Sequence, residues 1–333
     1  MNPRRIAAVV VVMGLAVAAC GKAAEVVAPR IAVREAAQST FDEHRGRFTL
    51  SLVGDEADLA AMFEATDEDR RYIDVLRKSR IVVSLDGGDQ DSLDDDRFAL
   101  EVDLGEVDRA VELRMVDKTM YLRGDVAGMA RLFEAEPGDL AEVADGARKA
   151  GLDFVADAFA GKWLSLDLAP LESMAKGAAA QQGGELPDLG FTQFSKLLEA
   201  VSQTFGEDVD VKRLDQEDAG RHYLLTVPLR RVYERLAPAL GQMLAMPGLE
   251  TLPPATEVPD RAVSLDVWTD DGLINRAELD LGQFAPQPPA GRVALRVDVD
   301  ELDGDIKAPD DAVKVDFTQI LGQLMAGLGA IQS

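Results

Sequence analysis

Phe98-Ala99-Leu100-Glu101-Val102-Asp103-Leu104 and Val111-Glu112-Leu113-Arg114-Met115 are two runs in which apolar side chains occupy every second position. Successive residues of an extended chain point to opposite faces, so each run predicts a strand with one apolar face. The period of two begins upstream, where Arg80 leads into Ile81-Val82-Val83-Ser84-Leu85 and then Asp86-Gly87-Gly88. It closes downstream with Met120-Tyr121-Leu122-Arg123. Short loops between such runs predict an antiparallel meander with one wet face and one apolar face, and the apolar face needs a cover. Helical spacing follows at once, over Asp125 to Phe133, Asp139 to Lys149 and a stretch through Phe154 and Phe159. The strand Lys162-Trp163-Leu164-Ser165-Leu166 comes next. The expected class is α+β, a sheet with helices against one face.

The same texture extends in both directions. Upstream, Phe48 to Val53 alternates and stops at Gly54-Asp55, and Ala57 to Ala65 carries Leu59, Met62 and Phe63 at helical spacing. A second helix is expected from Thr66, with Asp69 as its capping partner and Tyr72, Ile73, Val75 and Leu76 as its apolar face. Downstream, Ala175 to Gly190 reads as a loop or half-boundary, and Phe191, Phe194, Leu197, Leu198, Val201 and Phe205 predict an amphipathic helix. Strands are expected over Val209 to Leu214 and His222 to Val227. A helix with Leu229, Val232, Tyr233, Leu236 and Leu240 follows Pro228, and Pro238 is expected to kink or restart it. Met246 to Asp260 holds four prolines and reads either as a functional loop or as a stiff connector. Ala262 to Trp268 and Leu273 to Leu281 flank Asp270-Asp271-Gly272, a hairpin signal. Val293, Leu295, Val297 and Val299 form a further alternating run, and a last helix is expected from Asp316. Helices and strands, a loop near 175–190, then helices and strands again would suit a diverged repeat, but no matched residues support one.

At the N-terminus, Arg4 and Arg5 precede the apolar run Ile6 to Val17 and the small residues Ala18-Ala19. These are the parts of an export signal, and the run is too short to span a membrane as a mature helix. Val17-Ala18-Ala19-Cys20 resembles a bacterial lipobox. That resemblance implies cleavage before Cys20, acylation of its sulfur, and a mature protein held on the outer face of the cell membrane. An ordinary secretory signal with a chance cysteine is the alternative, although Cys20 is the only cysteine and a lone free thiol is an odd export. The expected organisation is a signal peptide over 1–19, a lipidated N-terminus and tether over 20–40, and a single domain over 41–333. No disulfide can form within the chain, so stability must come from packing, for which a hydrophobic share of 47% suffices. The net charge of −25 disfavours nucleic acid and anionic lipid headgroups as partners of the surface.

Catalytic patterns are thin. Ser173-Met174-Ala175-Lys176 matches the serine-lysine pair of penicillin-binding proteins, but the companion Ser-Asp-Asn and Lys-Thr-Gly motifs are missing. His44 and His222 are the only histidines, and no zinc spacing can be built from them. The acidic run Asp86 to Asp96 fails the helix-loop-helix calcium pattern, with Leu93 at a ligand position, Asp94 in place of the glycine and Leu100 in place of the glutamate. It reads as a solvated hairpin tip, with weak divalent-ion binding as the alternative. No catalytic residue, metal site or cofactor is expected, and the chain is read as not an enzyme.

The order of elements resembles the actinobacterial lipoproteins of the LppX and LprG type, within a wider class that includes the LolA and LolB carriers. The resemblance rests on the lipobox at Cys20, the strand Arg80 to Leu85, and the segment Arg114-Met115-Val116-Asp117-Lys118-Thr119-Met120-Tyr121-Leu122-Arg123. The late hairpin Val267-Trp268-Thr269-Asp270-Asp271-Gly272-Leu273-Ile274-Asn275-Arg276-Ala277 belongs to it too. It implies a curved antiparallel half-barrel covered by helices, with an apolar cavity for acyl chains. Phe98, Leu100, Val102, Leu113, Met115, Trp163 and Trp268 are candidates to line that cavity, or else form ordinary core. Two functions are expected. One is a membrane-anchored carrier of a lipid or other amphiphile at the envelope. The other is a non-catalytic structural or protein-docking lipoprotein with a filled core.

Overall fold

The computed structural model describes residues 29–42, 45–66, 69–87, 97–135, 137–170, 209–217, 219–243, 253–285 and 287–316. In chain order the elements are α1 (Pro29–Asp42), β1 (Arg45–Val53), α2 (Glu56–Met62), α3 (Arg70–Lys78), β2 (Arg80–Asp86), β3 (Arg97–Leu104), β4 (Val107–Val116), β5 (Thr119–Gly124), α4 (Val126–Leu132), α5 (Pro137–Lys149), α6 (Asp153–Phe159) and β6 (Leu164–Asp167). They continue with β7 (Asp210–Glu217), β8 (Gly220–Pro228), α7 (Leu229–Met243), β9 (Ala262–Asp270), β10 (Leu273–Asp280), β11 (Ala294–Asp300) and β12 (Val313–Lys314). The class is α+β, and the alternating runs are the strands. The export signal, Cys20, His44, Ser173, Lys176, most of the acidic run, the 191–205 helix and the segment after Asp316 lie outside the described residues.

Contacts divide the chain into two compact units where a single domain over 41–333 was expected. One comprises Met1–Leu85 with Pro187–Asp303, the other Asp86–Leu186 with Gly304–Ser333. The expected break near 175–190 falls outside the described residues.

In the first unit the strand order is β2-β1-β11-β10-β9-β8-β7, antiparallel from β1 onward, an open arrangement. Register brings Tyr223, Val267, Ala277, Val297 and Leu50 into one row across five strands, and Leu279, Leu295 and Leu52 into the next. Directly paired residues share a face, so this face is apolar throughout. Val33, Ala36 and Ala37 of α1 and Leu229, Val232, Tyr233 and Leu236 of α7 belong to its core, with Leu59, Ala60 and Ile73 from α2 and α3. Each large side chain removed from water there contributes about 1.5–3 kcal/mol. The hairpin between β9 and β10 turns at Asp271 (φ 46°) and Gly272 (φ 82°), as the Asp-Gly signal predicts.

Two expectations are corrected here. Residues 29–40 are not tether: α1 starts at Pro29 and is docked in the core. Its buried stripe is Val33, Ala36, Ala37 and Thr40, mostly side chains too small to mark a helical period in the sequence. Thr40 Oγ1 donates to the Ala36 carbonyl (2.8 Å) and accepts the Ile274 N–H (2.9 Å), which ties α1 to β10. Second, Tyr72 and Leu76 are not on a buried helix face. In α3 only Ile73 is buried, and Thr66 N–H donates to Asp69 ahead of the helix (2.9 Å). Pro238 lies inside α7, which runs as one helix from Leu229 to Met243.

In the second unit the order is β12-β6-β5-β4-β3. The meander is antiparallel from β3 to β6, and β12 adds a parallel pair to β6 that no alternating run announces. Between β4 and β5 the chain reverses on Asp117 (φ 49°) and Lys118 (φ 59°), both left-handed, as a two-residue hairpin requires. α6 packs against both α4 and α5, α4 also against β4, and α6 against β5, β6 and β12.

Candidate functional site: the apolar face of the second unit

Register sorts the meander's side chains into rows. Phe98, Met115, Met120 and Leu166 form one row, and Leu100, Leu113, Leu122 and Leu164 the next; Val102 and Val111 lead the third. All share one face. None is buried: each is half-buried, except Leu122, which is 40% exposed. The third row ends at Gly124, in register with Val111, and a Cβ placed there would lie 3.7 Å from Met129 Cε. That contact puts α4 over this same apolar face.

The opposite face is the more deeply buried one, which corrects the expectation of a wet polar face. Glu112, Asp103, Ala99 and Ser165 are all buried, and Glu112 is wholly so. Arg123 Nε donates to Glu112 (2.6 Å), its second nitrogen also pairs with that carboxylate, and Arg114 lies 3.6 Å away. Both guanidiniums lie over the Trp163 ring, at 4.8 Å and 4.9 Å. Arg114 also donates to the Lys307 carbonyl (3.1 Å), so the segment carrying buried Ile306 and Val315 approaches the charged face. A buried carboxylate persists only when paired, and the two arginines supply the pairing. An alternating sequence cannot announce this, because the partner of Glu112 sits 11 residues away on another strand.

Of the seven candidate lining residues, the structure brings together Phe98, Leu100, Val102, Leu113 and Met115 on the apolar face. Trp163 is not with them; it lies against the charged face, between β6 and the two arginines. Trp268 is in the first unit, on the polar side of β9. There it stacks on His222 at 4.3 Å, and its indole N–H donates to Glu217 (3.1 Å). His222 holds Glu217 at 3.0 Å and Asp266 at 2.7 Å through its two ring nitrogens. Neighbouring Glu278, buried like Glu112, is likewise held by two arginines, Arg296 (2.6 Å) and Arg292 (2.9 Å). Both tryptophans thus serve charged networks, since their amphipathic rings suit a boundary between arginine and core.

A cavity of about 480 Å³ opens between α4, α5 and α6. Its walls are mostly alanine, among them Ala127, Ala130, Ala144 and Ala156, with Leu140 and Phe159. The volume falls within the range of about 300–1,000 Å³ usual for small-molecule sites. None of the seven candidates borders it; helix residues line it, and only their small size signals it in the sequence. Among the described residues no cluster of His, Cys, Asp or Glu has an arrangement that would hold a metal, and no helix is long and apolar enough to cross a membrane. No protein-family model and no curated protein matches the chain.

Proposed function

We propose that this protein is a membrane-anchored extracytoplasmic lipoprotein that binds a lipid or other amphiphile against the apolar face of its second unit, for transport or presentation at the envelope. The observation that carries the reading is the inverted burial of the meander. Its charged face is sealed by ion pairs and tryptophan, while Phe98, Leu100, Val102, Leu113 and Met115 on the opposite face keep solvent contact. Apolar surface left half in water gains free energy when an acyl chain covers it, at about 25 cal/mol per Å² removed from water. The helices and strands of this unit are compatible with a half-barrel. The reaction-free chemistry of the face, which presents no nucleophile and no acid–base pair, suits a binder. Anchoring through acylated Cys20 gives it a location, and two or more chains hold where one would dissociate.

The second reading, a structural or docking lipoprotein with a filled core, is favoured by the first unit, where Leu225, Val263, Leu265, Val267, Ala277 and Leu279 of the apolar face are buried. Native mass spectrometry with lipid extraction on the protein purified from an envelope-bearing host separates the two. A discrete added mass that extracts into organic solvent, and disappears in Leu113→Trp or Met115→Trp, is the expected result. A bare polypeptide mass across hosts, with no uptake of fluorescent lipid, leaves the docking module.

A further inference from the structure

On the polar side of the first unit runs a line of charges with a histidine in it. Glu217 of β7 and Asp266 of β9 lie at opposite nitrogens of the His222 ring, 3.0 Å from Nδ1 and 2.7 Å from Nε2. Arg292 reaches both Asp266 (2.7 Å) and Glu278 (2.9 Å), and Arg296 closes the line on Glu278 (2.6 Å). Signs alternate along the whole line when His222 is positive, and the alternation breaks at a neutral ring. Hydrogen-bond chemistry gives the same answer. A carboxylate only accepts and a neutral imidazole has one donor, so holding both neighbours takes both ring protons. In a neutral ring one lone pair would face a carboxylate oxygen, beside a side chain only 8% exposed, where little water reaches. Other charges on this side do not replace the missing one. Arg276 of β10 is matched by Asp298 of β11 (2.7 Å), and Lys212 of β7 has Asp210 two residues away on the same strand face. Asp215, in the irregular step of β7, and Asp270, two residues on from Trp268, add negative charge.

We propose that His222 is held as an imidazolium whose second proton fastens the end of edge strand β7 to the sheet, as a pH-sensitive clasp. β7 is the last strand of its sheet, and its final rungs are Gln216 with Arg221 and Glu217 with Gly220. Trp268 stacks on the ring at 4.3 Å and 12°, which keeps both nitrogens aimed at the carboxylates and favours a positive ring over the indole face. On loss of one proton the other stays with Asp266, the closer and more buried partner. Glu217, 53% exposed, then keeps only the Trp268 indole N–H (3.1 Å) and is free to turn to water. The sign follows: the clasp holds while the ring is charged and is lost as the pH rises through its deprotonation. An exported chain meets a medium whose pH the cell does not hold, so the clasp ties this edge to its surroundings. That use rests on the anchored-lipoprotein reading; the clasp itself does not.

The test uses the full chain with His44→Gln, which leaves His222 as the only histidine, isotopically labelled at its ring nitrogens for magnetic resonance. At about pH 7 both ring nitrogens are expected to carry a proton. Raising the pH removes one of them. In the same step, amide protection at the Gln216–Arg221 rung, taken relative to the intrinsic exchange rate, is expected to fall about tenfold, the worth of one hydrogen bond to a charged group. Protection where Leu50 pairs with Val297, away from the clasp, is expected to stay unchanged through that step. Glu217→Gln keeps the shape of the side chain and removes its charge. It is expected to move the proton loss of the ring to lower pH and to abolish the step in protection. A ring with a single proton at about pH 7, no step in protection as the ring deprotonates, or a step that survives Glu217→Gln overturns the inference.

Discussion

Val267 in β9 and Leu113 in β4 stand at the middle of alternating runs that look alike, yet Val267 is fully buried while Leu113 is half-buried. The sheets are not the cause; their covers differ. Over the first unit lie α1, anchored by Thr40, and α7, which brings Leu229, Val232, Tyr233 and Leu236 as a continuous stripe. Over the second, α4 reaches the row that ends at Gly124 and α6 packs against β5 and β6, while the alanines of the three helices line a cavity that Phe98, Leu100, Val102, Leu113 and Met115 do not border. Side chains turned into that cavity add nothing to the cover, so the sheet face stays partly wet. The same strand pattern therefore yields a core in one unit and an unfilled surface in the other.

The comparison can be broken most directly at the core. Leu236→Ala, at a wholly buried site, is expected to cost about 2–5 kcal/mol in denaturant unfolding, whereas Leu113→Ala costs about 1 kcal/mol or less. Equal losses at the two sites would mean that the second face is as well packed as the first. The charged face sharpens the point. Glu112→Ala is expected to destabilise by about 2 kcal/mol, below the 3–5 usual for a broken buried pair, because Arg114 and Arg123 are about a third exposed and can rehydrate. A larger, filling side chain discriminates next: Leu113→Trp is expected to shift stability by less than about 1 kcal/mol, while Val267→Trp overpacks its site and costs about 1–3 kcal/mol. Circular dichroism during unfolding reads both.

The smallest effect concerns α3. The Lys78 ammonium and then the Arg77 guanidinium hold the Asp74 carboxyl below its ordinary value of 3.8, and the Thr66 hydroxyl and amide do the same for Asp69. A carboxylate with a depressed folded pKa supports the fold above its unfolded value and loses that support as the pH falls through the folded one. Amide protection in α3, taken relative to the intrinsic exchange rate, is therefore expected to fall only as the pH drops below 3.8, with Asp74→Asn weakening the dependence and Asp69 keeping the rest. Unchanged exchange in the acid range would show that these exposed pairs contribute nothing, as many surface pairs do.

Much of the fold was legible. The alternation of Phe98 to Leu104 and Val111 to Met115 became β3 and β4, an antiparallel pair as expected, and Asp271-Gly272 became the expected turn. Five of seven candidate lining residues came together because they sit on adjacent strands with one parity. Trp163 and Trp268 did not, since a large amphipathic ring reads as apolar in a pattern yet is drawn to arginine, histidine and carboxylate once those are placed nearby. α1 was missed because Val33, Ala36 and Ala37 carry little hydrophobic contrast. The β12–β6 pair was missed because its two residues have no period to read.

Sequence alone determined where most of the strands and helices form and which side chains share a strand face, because backbone periodicity is local and acts within a few residues. Only the tertiary structure decided that Glu112 is buried, that Leu113 is not, and that Tyr72 and Leu76 face outward. Burial depends on which elements arrive from a distance and how much volume their side chains fill. The sequence within a strand carries no record of either.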